Sequence, residues 1–255
     1  MDVAFDGGPP HAVAELCARC PPPANAQAFW TAWGPVFYRG RLDGSARLLC
    51  IASDPGPTER VANRTLVGDA GQRVQGFLAK LGLTRSYLCV NAFPYALHPS
   101  FGGAADELLA EPAGQAWRHE LYDAVKPSSL EAVVLFGRNA QNAFDLWPGK
   151  PSVHAERVPH PSSRDAAALV QQWKAAVTRL RGVVTADPDG AATGPNYGSS
   201  FRESDYAPIP RRDLPFGVPP FLGDDHAGRT GHPRRNDSVK RPVPDDGHTL
   251  IWTAP

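Results

Sequence analysis

The chain has 255 residues, with 26 basic and 26 acidic side chains and therefore no formal net charge. That length is enough for a full core, and the charge balance excludes binding to nucleic acid through a global positive field, so any such contact needs a local patch. No run is long and apolar enough to span a membrane, the N-terminus lacks the basic-then-apolar signature of a signal peptide, and the four cysteines are expected as reduced thiols in a cytoplasmic protein.

In chain order, His11 to Cys20 predicts a short helix stopped by Pro21-Pro22-Pro23. Asn25 through Trp33 predicts a second, with Trp30 and Trp33 three apart on one face. A turn at Gly44-Ser45 leads into Leu48 to Ala52, an apolar run that reads as a strand buried on both faces. The run stops at Ser53-Asp54-Pro55-Gly56-Pro57, a stiff loop that holds one carboxylate just past the strand. A polar loop from Arg60 to Asp69 follows. Asp69 is placed to cap a helix starting at Ala70, whose stripe is Val74, Phe77, Leu78 and Leu81 and which Gly82 ends.

Tyr87 to Val90 predicts a second buried strand with Asn91 at its carboxyl end, and Pro94 forbids its continuation. Residues 103–126 read as helical with a break near Pro112. Leu130 to Phe136 is a third strand, stopped by Gly137 and followed by a helix to about Leu146. Ala155 to Val158 is a fourth strand, leading into Pro159-His160-Pro161-Ser162-Ser163-Arg164-Asp165. Ser162 and Asp165 have capping-box spacing, and Leu169, Val170, Trp173, Val177 and Leu180 form the stripe of the last helix.

Alternating strands and helices predict a three-layer α/β/α sandwich around a mostly parallel four-stranded sheet. A boundary near Gly182 divides a 1–182 α/β domain from an extended Pro-rich segment, 183–255. Tyr197, Phe201, Tyr206, Phe216, Phe221, Leu250, Ile251 and Trp252 make that segment too apolar for simple disorder, so it is expected to wrap the core.

Asp54, Asn91 and His160 each sit at a break just past an apolar strand. In an open parallel sheet such ends share one edge, where ligands bind. A carboxamide can read a donor–acceptor edge such as an imide, an imidazole can stabilise a departing oxyanion, and a carboxylate can orient water beside a cationic sugar. Together these capacities describe N-glycosidic cleavage of a pyrimidine.

These motifs resemble those of the uracil-DNA glycosylase superfamily. Ser53-Asp54-Pro55-Gly56 resembles its first motif, Asn91 its uracil-reading asparagine, and His160-Pro161-Ser162 its second motif. Asn63-Arg64-Thr65-Leu66-Val67-Gly68-Asp69-Ala70-Gly71 is similar to a Gly-Arg-Pro-Phe-Val-Gly-x-Ala-Gly segment of the iron–sulfur branch. The likeness spans roughly residues 46–182, with the motifs in the family's order.

The resemblance implies a monomeric, monofunctional glycosylase acting on uracil-containing DNA, single- or double-stranded. Asp54 would activate water or stabilise the sugar cation, and His160 would stabilise the uracil anion. Asn91 would read the base, with Leu66, Gly68 and Phe93 around it. Pro55, Gly56, Pro161, Ser162, Ser163 and Arg164 would contact the DNA and fill the gap left by the flipped nucleotide.

There are departures. Ser53 stands where the iron–sulfur branch usually carries Glu, and Leu66 where the family stacks Phe, leaving stacking to Phe93 or Tyr95. Cys17 and Cys20 match that branch's opening Cys-x-x-Cys, but no cysteine follows Cys89, so no metal or other cofactor is expected.

Arg60, Arg64, Arg73, Arg157 and Arg164 are candidates for tracking phosphates. His98-Pro99-Ser100 repeats the second motif's tripeptide without a strand leading in, and is read as non-catalytic. The alternatives are a glycosylase for hypoxanthine, xanthine or mismatched thymine, and a DNA-damage-binding module without turnover. An unrelated phosphate-binding hydrolase ranks last, because neither a P-loop nor a nucleophile elbow is present.

Overall fold

The computed structural model describes residues 5–163, 165–218, 239–240 and 251–252. The elements in chain order are α1 (His11–Ala18), β1 (Phe29–Trp30), β2 (Tyr38–Gly40), β3 (Leu48–Ala52), α2 (Pro57–Ala62), α3 (Asp69–Lys80), β4 (Tyr87–Asn91) and β5 (Ala96–Leu97). They continue with α4 (Ala105–Leu109), α5 (Pro112–Val125), β6 (Ala132–Phe136), α6 (Arg138–Asp145), β7 (His154–Val158), α7 (Ala166–Leu180), β8 (Val239–Lys240) and β9 (Ile251–Trp252).

The central sheet has five strands in the order β2-β4-β3-β6-β7, one more than the sequence pattern predicts. β4, β3, β6 and β7 are mutually parallel, and β2 closes one edge antiparallel to β4. Alternate side chains feed two cores. Leu48, Cys50, Cys89, Val134 and Phe136 pack under α3 and α7. Leu49, Ile51, Leu88, Val133 and Leu135 pack under α1, α5 and α6. The predicted stripes of α3 and α7 are the buried ones, as amphipathic periodicity requires.

β2 escapes the pattern because its middle residue is an arginine. Arg39 is fully buried and is satisfied on every side. It donates to the Thr65 carbonyl at 3.0 Å, Gln75 Oε1 at 2.8 Å and Asp213 Oδ2 at 3.0 Å. A buried cation is tolerable only when paired and hydrogen-bonded in this way.

Four further expectations are corrected. Residues 25–33 do not form a helix: one 3-10 turn, Ala26–Ala28, runs into β1, where Trp30 pairs with Ala96. The non-local backbone partner outweighs local helix propensity. The polar loop expected from Arg60 begins instead inside α2, with Pro57 in its first turn. Gly68 is the N-cap of α3, and Asp69 is its first helical residue. Asp165, rather than Ser162, caps α7, its carboxylate accepting from the Ala168 N–H at 3.0 Å.

Residues 183–218 lie along the core and are held by three buried carboxylates. Asp187 accepts from the backbone N–H groups of Thr84, Arg85 and Ser86 at 2.8–3.1 Å, and it also pairs with Arg47. Asp205 pairs with Lys80 at 2.9 Å, and Asp213 accepts from Arg39 and from the Tyr87 hydroxyl at 2.7 Å. Gly76 makes room for this segment, since a Cβ there would lie 1.9 Å from the Asp205 carbonyl oxygen. Tyr197 and Phe201 pack edge-on against Trp173. Phe216 is exposed beside Phe5. Ile251–Trp252 pair antiparallel with Val239–Lys240, while Phe221, Leu250 and the Ile251 and Trp252 side chains lie outside the described residues. Among the described residues, no helix is long and apolar enough to cross a membrane.

Asp213→Ala would strand the Arg39 guanidinium in the core. It is expected to cost about 3–5 kcal/mol in chemical denaturation, the range for breaking a buried pair. The N–H groups and the Ser86 hydroxyl hold the Asp187 carboxyl down at about 2, against the desolvating effect of its burial. The folded-state value is depressed, so its stabilisation is complete above the unfolded carboxylate range and is lost as pH falls from about 4 toward 2. Thermal melts across that window should show a drop in the wild type that is shallower in Asp187→Asn.

Candidate active site

The parallel register decides what meets at the carboxyl edge. Ala52 is level with Asn91, and Phe136 is level with Val158, so the loops leaving β3, β4, β6 and β7 open on the same side. A cleft of about 330 Å³ lies there, lined by Ser53, Asp54, Gly137, Arg138, Asn139 and His160. The predicted acid and imidazole thus share one cavity.

Both carboxylate oxygens of Asp54 are held. Oδ1 accepts from the Ser53 hydroxyl at 2.6 Å, and Oδ2 from the Leu97 N–H at 3.0 Å. Ser53 Oγ itself accepts from Asn139 Nδ2 at 2.9 Å, completing an Asn139–Ser53–Asp54 chain. Burial raises the Asp54 carboxyl above the usual carboxylate range, against the opposing pull of its two hydrogen bonds. Asn139 was not among the residues expected from sequence. Its only cue there is a polar side chain in the first turn of the helix that follows the Gly137 break.

His160 is fixed from three directions. Its Nδ1 accepts from the Ser162 N–H at 3.2 Å, so the neutral ring carries its proton on Nε2. The preceding Pro159 carbonyl accepts from Trp173 Nε1 at 3.2 Å, and the following Pro161 carbonyl accepts from Arg73 at 2.7 Å. Gly137, at φ +87°, lets the imidazole close on the end of β6, since a Cβ there would lie 2.9 Å from His160 Cβ. Desolvation, with a smaller effect from the Arg73 charge, lowers the imidazole to about 4. His160 is therefore a neutral hydrogen-bond donor at neutral pH. Gly137, Arg138 and Asn139 also bring the amino end of α6 to the cleft, which favours negative charge there.

The remaining predicted residues are distributed around this centre. Asn91 is buried at the end of β4, on the strand face shared with Tyr87 and Cys89, and its Nδ2 has no hydrogen-bond partner among the described residues. It does not line the cleft directly. Leu66, in the left-handed region at φ +56°, is packed into the core under α3 and α7. The N–H groups of Val67 and Gly68 donate to Glu59 Oε1 at 2.9 and 2.8 Å, so the Gly68 N–H is already engaged. Phe93 lies apart from Leu66, beside Phe29, and borders a separate cavity of about 50 Å³ with Pro94 and Tyr95.

Pro55 is buried and Gly56 partly so, at the entry to α2. Pro161 is buried, Ser162 exposed and Ser163 between the two. Arg164 lies outside the described residues.

Of the five arginines expected to track phosphates, the four described ones have partners within the fold. Arg60 and Arg64 are buried, with Arg64 Nε 2.6 Å from Asp6 Oδ2. Arg157 pairs with Asp145, and Arg73 is bonded to the Tyr206 hydroxyl at 2.8 Å as well as to Pro161. Each of these four guanidinium groups has a carboxylate, carbonyl or ring partner, and the partners of Arg64 and Arg73 at Asp6, Tyr206 and Pro161 are not revealed by local sequence.

His98 has the same Nδ1–Ser turn as His160, with Ser100 Oγ at 2.6 Å. It is stacked on Trp30 and caps the 3-10 segment Pro99–Ala104. The cysteines do not converge. Cys17 and Cys20 pack toward one face of the sheet, and Cys50 and Cys89 are buried in the other core. Among the described residues, no group of three or more His, Cys, Asp or Glu is placed to hold a metal ion.

In a proton NMR titration the His160 ring signal is expected to change near pH 4, well below an ordinary histidine. Arg73→Gln should move the midpoint upward by removing a like charge. A midpoint near 6.5 in the wild type would contradict the desolvated environment.

A scan against protein-family models and a search of curated protein sequences return no match to this chain.

Proposed function

We propose that the cleft hydrolyses the N-glycosidic bond of deoxyuridine in DNA, releasing uracil without a metal. The observation that carries this reading is the pairing of a desolvated, doubly anchored carboxylate with a neutral imidazole across one cavity. The expected three-layer α/β/α plan, with its ligand edge at the strand carboxyl ends, suits that chemistry.

In the reaction, water forms a bond to C1′ of the sugar as the C1′–N1 bond breaks, and the electron pair of that bond leaves with uracil. Asp54 would orient the water and stabilise the sugar cation, and its raised pKa supports a role as base for the water proton. His160 offers the Nε2 proton to the oxygen on which charge accumulates. A neutral donor stabilises that anion by a hydrogen bond without protonating it. Asn91 Nδ2 is buried behind the cleft lining without a hydrogen-bond partner among the described residues, and reading a base carbonyl would require the flipped base to reach past that lining. A flipped base that satisfies it would recover the hydrogen bond it lacks.

A second reading keeps the chemistry and changes the base to hypoxanthine, xanthine or mismatched thymine. Leu66 favours it, because an aliphatic side chain packed into the core offers no aromatic face for stacking on uracil.

The test is uracil release from a U-containing oligonucleotide, run beside a panel of those other bases. Asp54→Asn, Asn91→Ala and His160→Ala should each lower release by about 10²–10³-fold, the scale of a lost general base or oxyanion donor. Full activity in all three would end the assignment. Tight binding to abasic DNA with no release of any base would favour a binding module.

A further inference from the structure

Beside the Asp54 end of the cleft lies an aromatic surface that the reaction above does not use. β1 and β5 form a separate two-stranded ribbon, with Phe29 opposite Leu97 and Trp30 opposite Ala96. The Leu97 N–H is the group that anchors Asp54 Oδ2, so this ribbon is tied directly to the acid. On it, the Trp30 and His98 rings stack at 5.2 Å between centroids and 19° between planes. The Arg60 guanidinium, on α2 just after the Asp54 loop, lies 6.0 Å from the Trp30 ring and 6.0 Å from the Trp33 ring.

Trp33 is the anomaly. It is 59% exposed, whereas Trp117, Trp147 and Trp173 are at most 7% exposed. An indole left in water forgoes one of the largest burial gains a side chain can make. The backbone that carries Trp33 is held in a turn. The Gly34 N–H closes a turn on the Thr31 carbonyl at 3.0 Å, and the Val36 N–H donates to the Pro94 carbonyl at 2.8 Å. An exposed indole on a hydrogen-bonded turn, a stacked Trp–His pair and a cation between them have the composition of a base-stacking platform.

We propose that Trp33, together with the Trp30–His98 stack, binds bases of single-stranded DNA flanking the nucleotide in the cleft. The inference rests on the glycosylase reading for its occupant. In the sheet order, β3 carries Asp54, β7 carries the His160 loop, and the ribbon continues from β4 on the other side of β3. A strand with one nucleotide between Asp54 and His160 therefore leaves the cleft past Ser162 on one side and over the ribbon on the other. Single-stranded bases can present a π-face to Trp33, whereas those of a duplex are already stacked on one another.

The test measures binding of the full chain to a labelled, uracil-free oligothymidine and to a duplex of equal length, by fluorescence anisotropy at fixed salt. Uracil release is assayed in parallel. Trp33→Ala should weaken single-strand binding about ten-fold or more, the loss of one stacked base, and leave duplex binding nearly unchanged. Trp33→Phe should restore most of the affinity, because it keeps an aromatic face. Equal single-strand affinity in the wild type and Trp33→Ala overturns the platform, as does an equal loss on duplex. If single-strand binding depends on Trp33 while no base is released, the platform stands and the glycosylase reading falls. If uracil is released and Trp33→Ala binds as the wild type, the reverse holds.

Discussion

Backbone hydrogen bonds of the parallel ladder fix which residues come level at the carboxyl edge of the sheet. With Ala52 opposite Asn91 and Phe136 opposite Val158, the loops that carry Asp54 and His160 have little freedom to diverge. A slip of one residue in either pairing would also turn each buried strand face over, exchanging the core under α3 and α7 for the core under α1, α5 and α6. The same apolar alternation that stabilises the sheet therefore places the acid and the imidazole in one cleft.

At both ends of the sheet, irregular backbone is held by buried charge rather than by ladder pairing. Glu59 collects the Val67 and Gly68 N–H groups and sets the loop between α2 and α3. Asp187 collects three N–H groups of the loop before β4, and Asp213 neutralises Arg39 beneath the edge strand. A buried carboxylate is costly to desolvate, and each of these recovers the cost by accepting several hydrogen bonds at once. The segment after Gly182 is consequently part of the architecture that supports the site. Its Tyr206 bonds Arg73, and Arg73 in turn holds the Pro161 carbonyl next to His160.

Desolvation acts with opposite effect on the two central groups. It raises the Asp54 carboxyl and lowers the His160 imidazole, favouring the neutral form of each. Hydrogen bonds to Asp54 oppose that shift, whereas Arg73 reinforces it at His160. The result is a stronger base on one side of the cleft and an uncharged donor on the other. Separating two titratable groups by environment is how a site assigns distinct tasks to them.

Much of the frame was legible from residue patterns, because β3, β4, β6, α3 and α7 are regular elements whose apolar period matches their own geometry. The candidates Asp54 and His160 were legible for the same reason: each sits where such a period stops, and a parallel sheet brings those stops together. What the pattern could not carry was every feature that depends on a distant partner. β2 hides a buried arginine whose counter-ion lies at position 213, β1 exists because Ala96 and Leu97 pair with it, and Asn139 reaches Asp54 only through Ser53 across the sheet edge. Two of the arginines expected at a DNA-facing surface, Arg64 and Arg73, are engaged by Asp6, Tyr206 and Pro161, contacts made between elements far apart in the chain, while Arg157 pairs with Asp145 at the surface. Periodicity is a local property and survives in the sequence; pairing of polar groups is settled only when packing brings them within hydrogen-bond reach.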